Sequence, residues 1–200
     1  MIRSVDRRRY IAARAALREI LGSYLRTPPS SLSIACSGSG KPFLENQPQV
    51  HPLHFNVSHA GDLALVAVSC GLQVGIDIER FRELKAANDI LRDFFGPPEQ
   101  ALVQSHPQAE QAEAFFRVWT RREAAAKAVG MGLMRSFLGF TLPGAPLSPH
   151  GFRCMLPGSE WQTAAQQQWW VRDLSPADGY AGALCVEKKN AEPVFWRFEF

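Results

Sequence analysis

The stretch LALVAVSCGLQVGIDIER (63–80) carries the pattern that decides the fold. Leu63 to Ser69 and Val74 to Glu79 are strand-like, and the four residues Cys70-Gly71-Leu72-Gln73 between them suit a hairpin. The first run reads as a strand buried on both faces. In the second, side chains alternate, so Ile76 and Ile78 point one way while Asp77 and Glu79 point the other. Two carboxylates therefore stand side by side on one strand face.

Working outward, Phe55 to Ser58 is a further strand-like run. From Asp6 to about Leu25, Tyr10, Ile11, Leu17, Ile20, Leu21 and Leu25 recur at helical spacing behind Asp6 as a cap, which predicts an amphipathic helix. TPPSS (27–31) breaks it, SLSIA (31–35) offers a short strand, and SGSGKP (37–42) reads as a turn before a polar loop to Leu53. Downstream, a helical pattern over 86–95 ends at Gly96-Pro97-Pro98. A longer helix spans Gln111 to Val129, with Phe115, Phe116, Trp119 and Ala126 as its apolar stripe and Gly130 and Gly132 as terminators. Short strands are expected near 139–142, 169–173, 182–186 and 194–198.

Two hundred residues, 46% hydrophobic and 20% charged, suffice for one substantial core or two small lobes, and exclude disorder as the whole answer. The net charge of +3 and pI near 8.8 suit an anionic small ligand or an acidic partner. They fall short of the clustered charge of a nucleic-acid binder. Cys36, Cys70, Cys154 and Cys185 show no metal-site or paired spacing and read as scattered reduced thiols. The first twenty-five residues are interrupted by arginines and lack a signal peptide's apolar run, and no segment reaches the roughly 18 apolar residues of a membrane span. The expectation is a cytoplasmic protein that engages no membrane.

Asp77 and Glu79, with Glu123 from the long helix, can offer three carboxylate oxygens to a hard cation such as magnesium, whose octahedron is otherwise filled by water and substrate phosphate. A D-x-E pair equally describes solvent-facing charges on an edge strand. Lys127 follows Glu123 by four residues, so both leave the same helix face. That spacing fits a surface ion pair as well as it fits a carboxylate on metal beside an ammonium on phosphate. Ser58 and His59 close a strand before Ala60-Gly61-Asp62. Lys41 follows Gly38 and Gly40, but SGSGKP lacks P-loop spacing.

The series GKP (40–42), FNVSHAGD (55–62), VGIDIER (74–80), DFFGPPE (93–99) and FFRVWTRREAAAKAVGMGL (115–133), in this order and spacing, resembles the 4'-phosphopantetheinyl transferase family. The type is the larger monomeric one that includes the surfactin-synthetase-activating enzymes. The likeness covers roughly residues 6 to 133, and GIDIE with WxxxExxxK is its specific part.

The resemblance implies an α+β fold of two similar α/β lobes related by a pseudo-twofold axis, divided as 1–72 and 73–200, with coenzyme A in the cleft between them. It implies transfer of the 4'-phosphopantetheine arm to a serine of an apo acyl or peptidyl carrier protein. Magnesium, or manganese, would be held by Asp77, Glu79 and Glu123. Ser58, His59 and Lys41 would contact coenzyme A phosphates, Lys127 would hold the phosphate under attack, and Glu123 would act as base. Arg122 stands where the family usually has lysine. The family commonly carries a further strand and basic residues near the 3'-phosphate before the segment that begins here at Asp6, so the first lobe is expected to be shortened. Arg7, Arg8, Arg9 and Arg14 are candidates for that phosphate grip. The rival readings are a magnesium-dependent phosphohydrolase using the same carboxylates and a non-catalytic coenzyme A-binding protein.

Overall fold

A computed structural model of the chain describes residues 4–47, 50–83, 86–131, 140–145, 151–156, 167–187 and 192–197. Helices and strands are mixed in an α+β arrangement. In chain order the elements are α1 (Ser4–Leu25), a 3₁₀ turn (Pro29–Ser31), β1 (Ile34–Cys36), β2 (Pro42–Leu44), β3 (Leu53–Ala60), β4 (Leu63–Cys70) and β5 (Val74–Arg80). They continue with α2 (Ala87–Phe94), α3 (Pro97–Gln104), α4 (Gln111–Val129), β6 (Phe152–Leu156), β7 (Gln167–Leu174) and β8 (Tyr180–Val186). No helix among the described residues is long and apolar enough to cross a membrane.

α1 buries Ala13, Ala16, Leu17 and Leu21, and the two leucines pack with Leu32, Leu44 and Phe55. The helix begins at Ser4, so Asp6 lies inside it rather than capping it. Tyr10 and Ile11, expected on the buried stripe, are 51% and 55% exposed. The buried stripe of the helix begins only at Ala13. β1 and β2 pair across the turn at 37–41, closed by Ser37 N–H donating to the Lys41 carbonyl.

β3 and β4 form a two-stranded antiparallel hairpin whose loop is Gly61-Asp62, with Gly61 at φ +55°. That positive φ is what a two-residue hairpin loop demands. β3 runs through Ser58 and His59 to Ala60, two residues beyond the expected strand end. β4 packs on both faces, Val66 and Val68 against the Leu17–Phe55 cluster and Leu65 and Ala67 against Val74 and Ile76, but only Ala67 in it is buried, so it is less enclosed than expected.

The expected hairpin between β4 and β5 is also absent. β5 pairs antiparallel with β8, from Val74 opposite Val186 to Arg80 opposite Tyr180, in a four-stranded sheet of order β5-β8-β7-β6. Residues 71–73 carry the chain from one sheet to the next. Loop length fits both connections, and only the distant partner β8 decides between them. α3 and β6 were not foreseen. Glu99 stabilises the start of α3 by accepting from the Gly96 N–H at 2.8 Å, and Pro97 suits the first helical position. The proline pair that reads as a stop thus opens a helix. The strands expected near 139–142 and 194–198 show no regular structure over 140–142 and 194–197, and residues 139 and 198 lie outside the described residues.

α4 covers the large sheet with a row of alanines. Ala124, Ala125, Ala128 and Val129 meet Leu156, Trp169, Val171, Ala183 and Cys185. At its other end Phe115, Phe116 and Val118 join Leu91, Phe95 and Val103 of α2 and α3. Gly130 at φ +79° ends the helix in the left-handed region, as its sequence position predicts. The four cysteines are free, and burial pushes the Cys154 thiol up to about 12.

Candidate active site

β5 and α4 build the site, and a glycine sets the distance between them. A Cβ on Gly75 would lie 2.1 Å from the Ala124 carbonyl oxygen and 2.3 Å from the Ala128 nitrogen, both backbone atoms. Only hydrogen fits, so the helix lies directly on the strand. The Phe81 and Phe116 rings pack 6.4 Å apart at the other end, so α4 runs antiparallel to β5. Glu123, one turn before Lys127, is therefore set toward the Glu79 end of the strand.

The second contributor is β3, whose alternation aims Asn56 and Ser58 at β5. The Asn56 Oδ1 accepts the Ile76 N–H at 2.9 Å, and the Ser58 hydroxyl donates to Asp77 Oδ1 at 2.8 Å. From α4, Lys127 Nζ donates to the same Oδ1 at 2.6 Å and to Ser58 Oγ at 3.0 Å. Asp77 is only 4% exposed. Its Oδ2 is buried without a hydrogen-bond partner. Burial pushes the Asp77 carboxyl above its ordinary range, the Lys127 ammonium and the Ser58 hydrogen bond oppose that rise, and Glu79 adds to it. One oxygen is thus tied and the other is left with unspent accepting capacity.

The remaining expected site residues are distributed as follows. Lys41 reaches the end of α4, donating to the Ala128 carbonyl at 2.7 Å and to Gln73 Oε1 at 2.9 Å. His59 is exposed beside the β3–β4 turn. Arg9 clasps that turn from α1 through two bonds to Asp62 Oδ1, at 2.9 and 2.6 Å. Arg14 faces elsewhere. It donates to the Tyr10 hydroxyl at 3.2 Å and lines a cavity of about 310 Å³ with Leu17, Arg18, Ile34 and Cys36, none of them in the Asp77 cluster.

Among the described residues no three His, Cys, Asp or Glu side chains gather closely enough to hold a metal ion. Glu79 pairs with Arg82, 2.7 Å away, and Asp77 with Lys127, 2.6 Å away. Glu123 is buried on α4. The donor chemistry nonetheless fits magnesium, which is usually held by one or two carboxylates together with substrate phosphates. The unsatisfied Asp77 Oδ2 is a hard oxygen of the right kind.

Residues 73–185 match the 4'-phosphopantetheinyl transferase superfamily, and residues 1–71 match the N-terminal region described for 4'-phosphopantetheinyl transferases. The chain is 34% identical over 192 residues to the 4'-phosphopantetheinyl transferase HetI of Nostoc sp., covering 96% of this chain and 76% of that protein. It is 32% identical over 188 residues to the 4'-phosphopantetheinyl transferase psf-1 of Bacillus pumilus, covering 94% and 74%. This chain belongs to the 4'-phosphopantetheinyl transferase superfamily. It is a transferase enzyme. A more distant relative is the human L-aminoadipate-semialdehyde dehydrogenase-phosphopantetheinyl transferase, 29% identical over 136 residues, covering 64% and 44%.

In this phosphopantetheinyl transferase the residue before Glu123 has a role that sequence reading missed. Arg122 is 2% exposed. Its Nη1 donates to both Glu99 oxygens, at 3.0 and 2.8 Å, and its Nη2 to the Phe140 carbonyl at 2.7 Å. The Phe95 and Phe140 rings each lie 5.1 Å from the guanidinium. Arg121 makes a bidentate pair with Asp173 at 2.7 and 2.8 Å on the other flank. Asn56 and Gly75 were missed too. The spacing of Asn56 and Ser58 was a readable signal for the first, whereas Gly75 gives none without knowledge of what crosses it.

Proposed function

We propose that this transferase moves the 4'-phosphopantetheine arm of coenzyme A to a serine hydroxyl of an apo acyl or peptidyl carrier protein, releasing adenosine 3',5'-bisphosphate. The observation that carries the reading is the Asp77 carboxylate, buried at the β5–α4 contact with one oxygen held by Ser58 and Lys127 and the other unsatisfied. Coenzyme A would lie between two related lobes, residues 1–72 and 73–200, and the enzyme would act as a cytoplasmic monomer.

Asp77 and Glu79 on β5 and Glu123 on α4 are the proposed donors to magnesium, with manganese as a substitute. When bound, the ion supplies positive charge to the pyrophosphate oxygens. In the reaction a bond forms between the serine oxygen and the β-phosphorus, and the bond from that phosphorus to the bisphosphoadenosine oxygen breaks. Glu123 takes the serine proton, a contribution of about 10²–10⁴ in rate for a positioned base. Lys127 meets the charge on the phosphoryl oxygens in a site poor in water. Lys41, Ser58 and His59 contact coenzyme A phosphates, with Arg9 beside His59 and Arg14 as further candidates.

Intact-mass measurement of an apo carrier incubated with enzyme, magnesium and coenzyme A tests this directly. The expected result is a gain of one phosphopantetheine arm on the carrier serine, lost on chelation and restored by added magnesium or manganese. Release of bisphosphoadenosine from coenzyme A alone, with carriers unmodified across a fatty-acid, polyketide and peptide panel, would establish the hydrolase instead.

A further inference from the structure

The Lys127 ammonium is assigned to phosphate in the reaction above, yet here it sits on Asp77. It makes the closest contact to Oδ1, at 2.6 Å, and Ser58 braces the pair by bonding Asp77 and accepting from Lys127. With two of its three N–H groups directed at Asp77 and Ser58, the ammonium shares its charge between the carboxylate and any phosphoryl oxygen it meets there. We infer that Lys127 is an internal cation that occupies the seat of the divalent ion at Asp77 until metal and coenzyme A arrive, and that its release from Asp77 delivers it to the phosphate. The inference rests on the metal reading proposed above.

Three observations carry it. First, Asp77 is buried, and a buried carboxyl stays ionised only beside a cation. Lys127 meets that need, 2.6 Å from Oδ1. Second, the two ends of the Lys127 side chain differ. Its stem leaves α4 at the point of closest approach to β5, which Gly75 fixes, while 28% of the side chain remains exposed. The head group can therefore swing toward solvent and the phosphate without unpacking the helix. Third, Oδ2 is unsatisfied while Oδ1 accepts from both Ser58 and Lys127. The pair is a temporary closure that leaves the aspartate's second oxygen waiting. By linkage, a lysine that must leave before the metal enters weakens metal binding, and the metal in turn weakens the lysine contact by the same factor.

The test is manganese binding to the purified full chain at pH 8 without coenzyme A, read by electron paramagnetic resonance, for the wild type, Lys127→Gln, Asp77→Asn and Lys41→Gln. Lys41→Gln removes a neighbouring cation that has no bond to Asp77, so it measures the long-range charge effect alone. Lys127→Gln should bind manganese about tenfold tighter than the wild type and clearly tighter than Lys41→Gln. Independently of any variant's folding, the Lys127 ¹³Cε signal of the labelled wild type should shift on titration with magnesium and coenzyme A. Equal affinities in Lys127→Gln and Lys41→Gln, or an unmoved signal, overturn the internal-cation role while loss of binding in Asp77→Asn keeps the metal site. Undiminished binding in Asp77→Asn overturns both.

Discussion

Helix α4 carries two kinds of buried ion pair barely a turn apart. Around Arg121 and Arg122 every charge is spoken for: one guanidinium grips both oxygens of Asp173, the other both oxygens of Glu99 and the Phe140 carbonyl between two aromatic rings. One turn on, Asp77 and Lys127 share a single oxygen and leave the other bare. The first pairs act as fasteners, joining α3, the 140–145 segment and β7 to α4. The second is a site whose unmet valence is its purpose. A protein tolerates an incompletely satisfied buried carboxylate at a cost of roughly 1–3 kcal/mol, and such costs persist where function needs them.

The contrast is broken most severely at Glu123, which lies between the two regimes. Glu123→Gln keeps shape and removes the base, so carrier modification should fall by about 10²–10⁴ in turnover with an unchanged far-ultraviolet circular dichroism spectrum. Turnover within a few-fold of wild type would remove the base assignment and leave the fasteners untouched.

Next in size is the fastener itself. Arg122→Met strands Glu99 among apolar groups, and breaking a buried pair in this way costs about 3–5 kcal/mol. For a chain of this length that lowers the melting temperature by about 6–20 °C. Arg122→Met with Glu99→Leu should recover most of the loss, because the desolvation of both ions disappears together. A double variant no more stable than the single one would mean that Arg122 matters through Phe140 and not through Glu99.

The Asp77 pair should respond in the opposite sense. Burial raises the Asp77 carboxyl above its unfolded value, so the stability attached to its protonated form is complete at low pH and is lost as pH rises through the raised value. Asp77→Asn removes that loss, and Lys127, with 28% of its side chain exposed, can turn to water. The variant should melt about 2–4 °C higher than wild type at pH 8, with the gap closing below pH 4, while carrier modification is abolished. A variant that melts lower at pH 8 would make the Lys127 contact a fastener too.

How much of this was legible follows from the range of the interactions. α4 was read to the residue, because a stripe of period 3.6 and a glycine stop are local. So was the shared face of Asp77 and Glu79, and the sequence motifs placed Ser58 and Lys127 in one site. The larger failures are nonlocal, while the missed helix start after Gly96 is a local one. A four-residue connector could not reveal that β5 pairs with β8, 100 to 112 positions away, from Arg80 opposite Tyr180 to Val74 opposite Val186. The Gly96-Pro97-Pro98 run reads as a stop unless Glu99 is seen folding back on Gly96. Arg122 read only as a change from the family's usual lysine, because its partner Glu99 lies 23 residues earlier, on another helix.

The smallest effect sharpens the comparison at the C-terminal end of α4. Lys41 Nζ donates to the Ala128 carbonyl, one of the last carbonyls of the helix, where a cation also meets the negative end of the helix dipole. As a cap alone it contributes about 0.3–1 kcal/mol, so Lys41→Gln should lower the melting temperature by only about 1–4 °C. A role at the coenzyme adds something stability does not register: the KM for coenzyme A should rise several-fold with kcat unchanged, since a phosphate contact held equally in ground and transition states lowers KM alone. Loss of stability with an unmoved KM would place Lys41 with Arg121 and Arg122 among the fasteners. A raised KM would place it with Lys127, and the boundary between structure and chemistry would then run through the last turn of one helix.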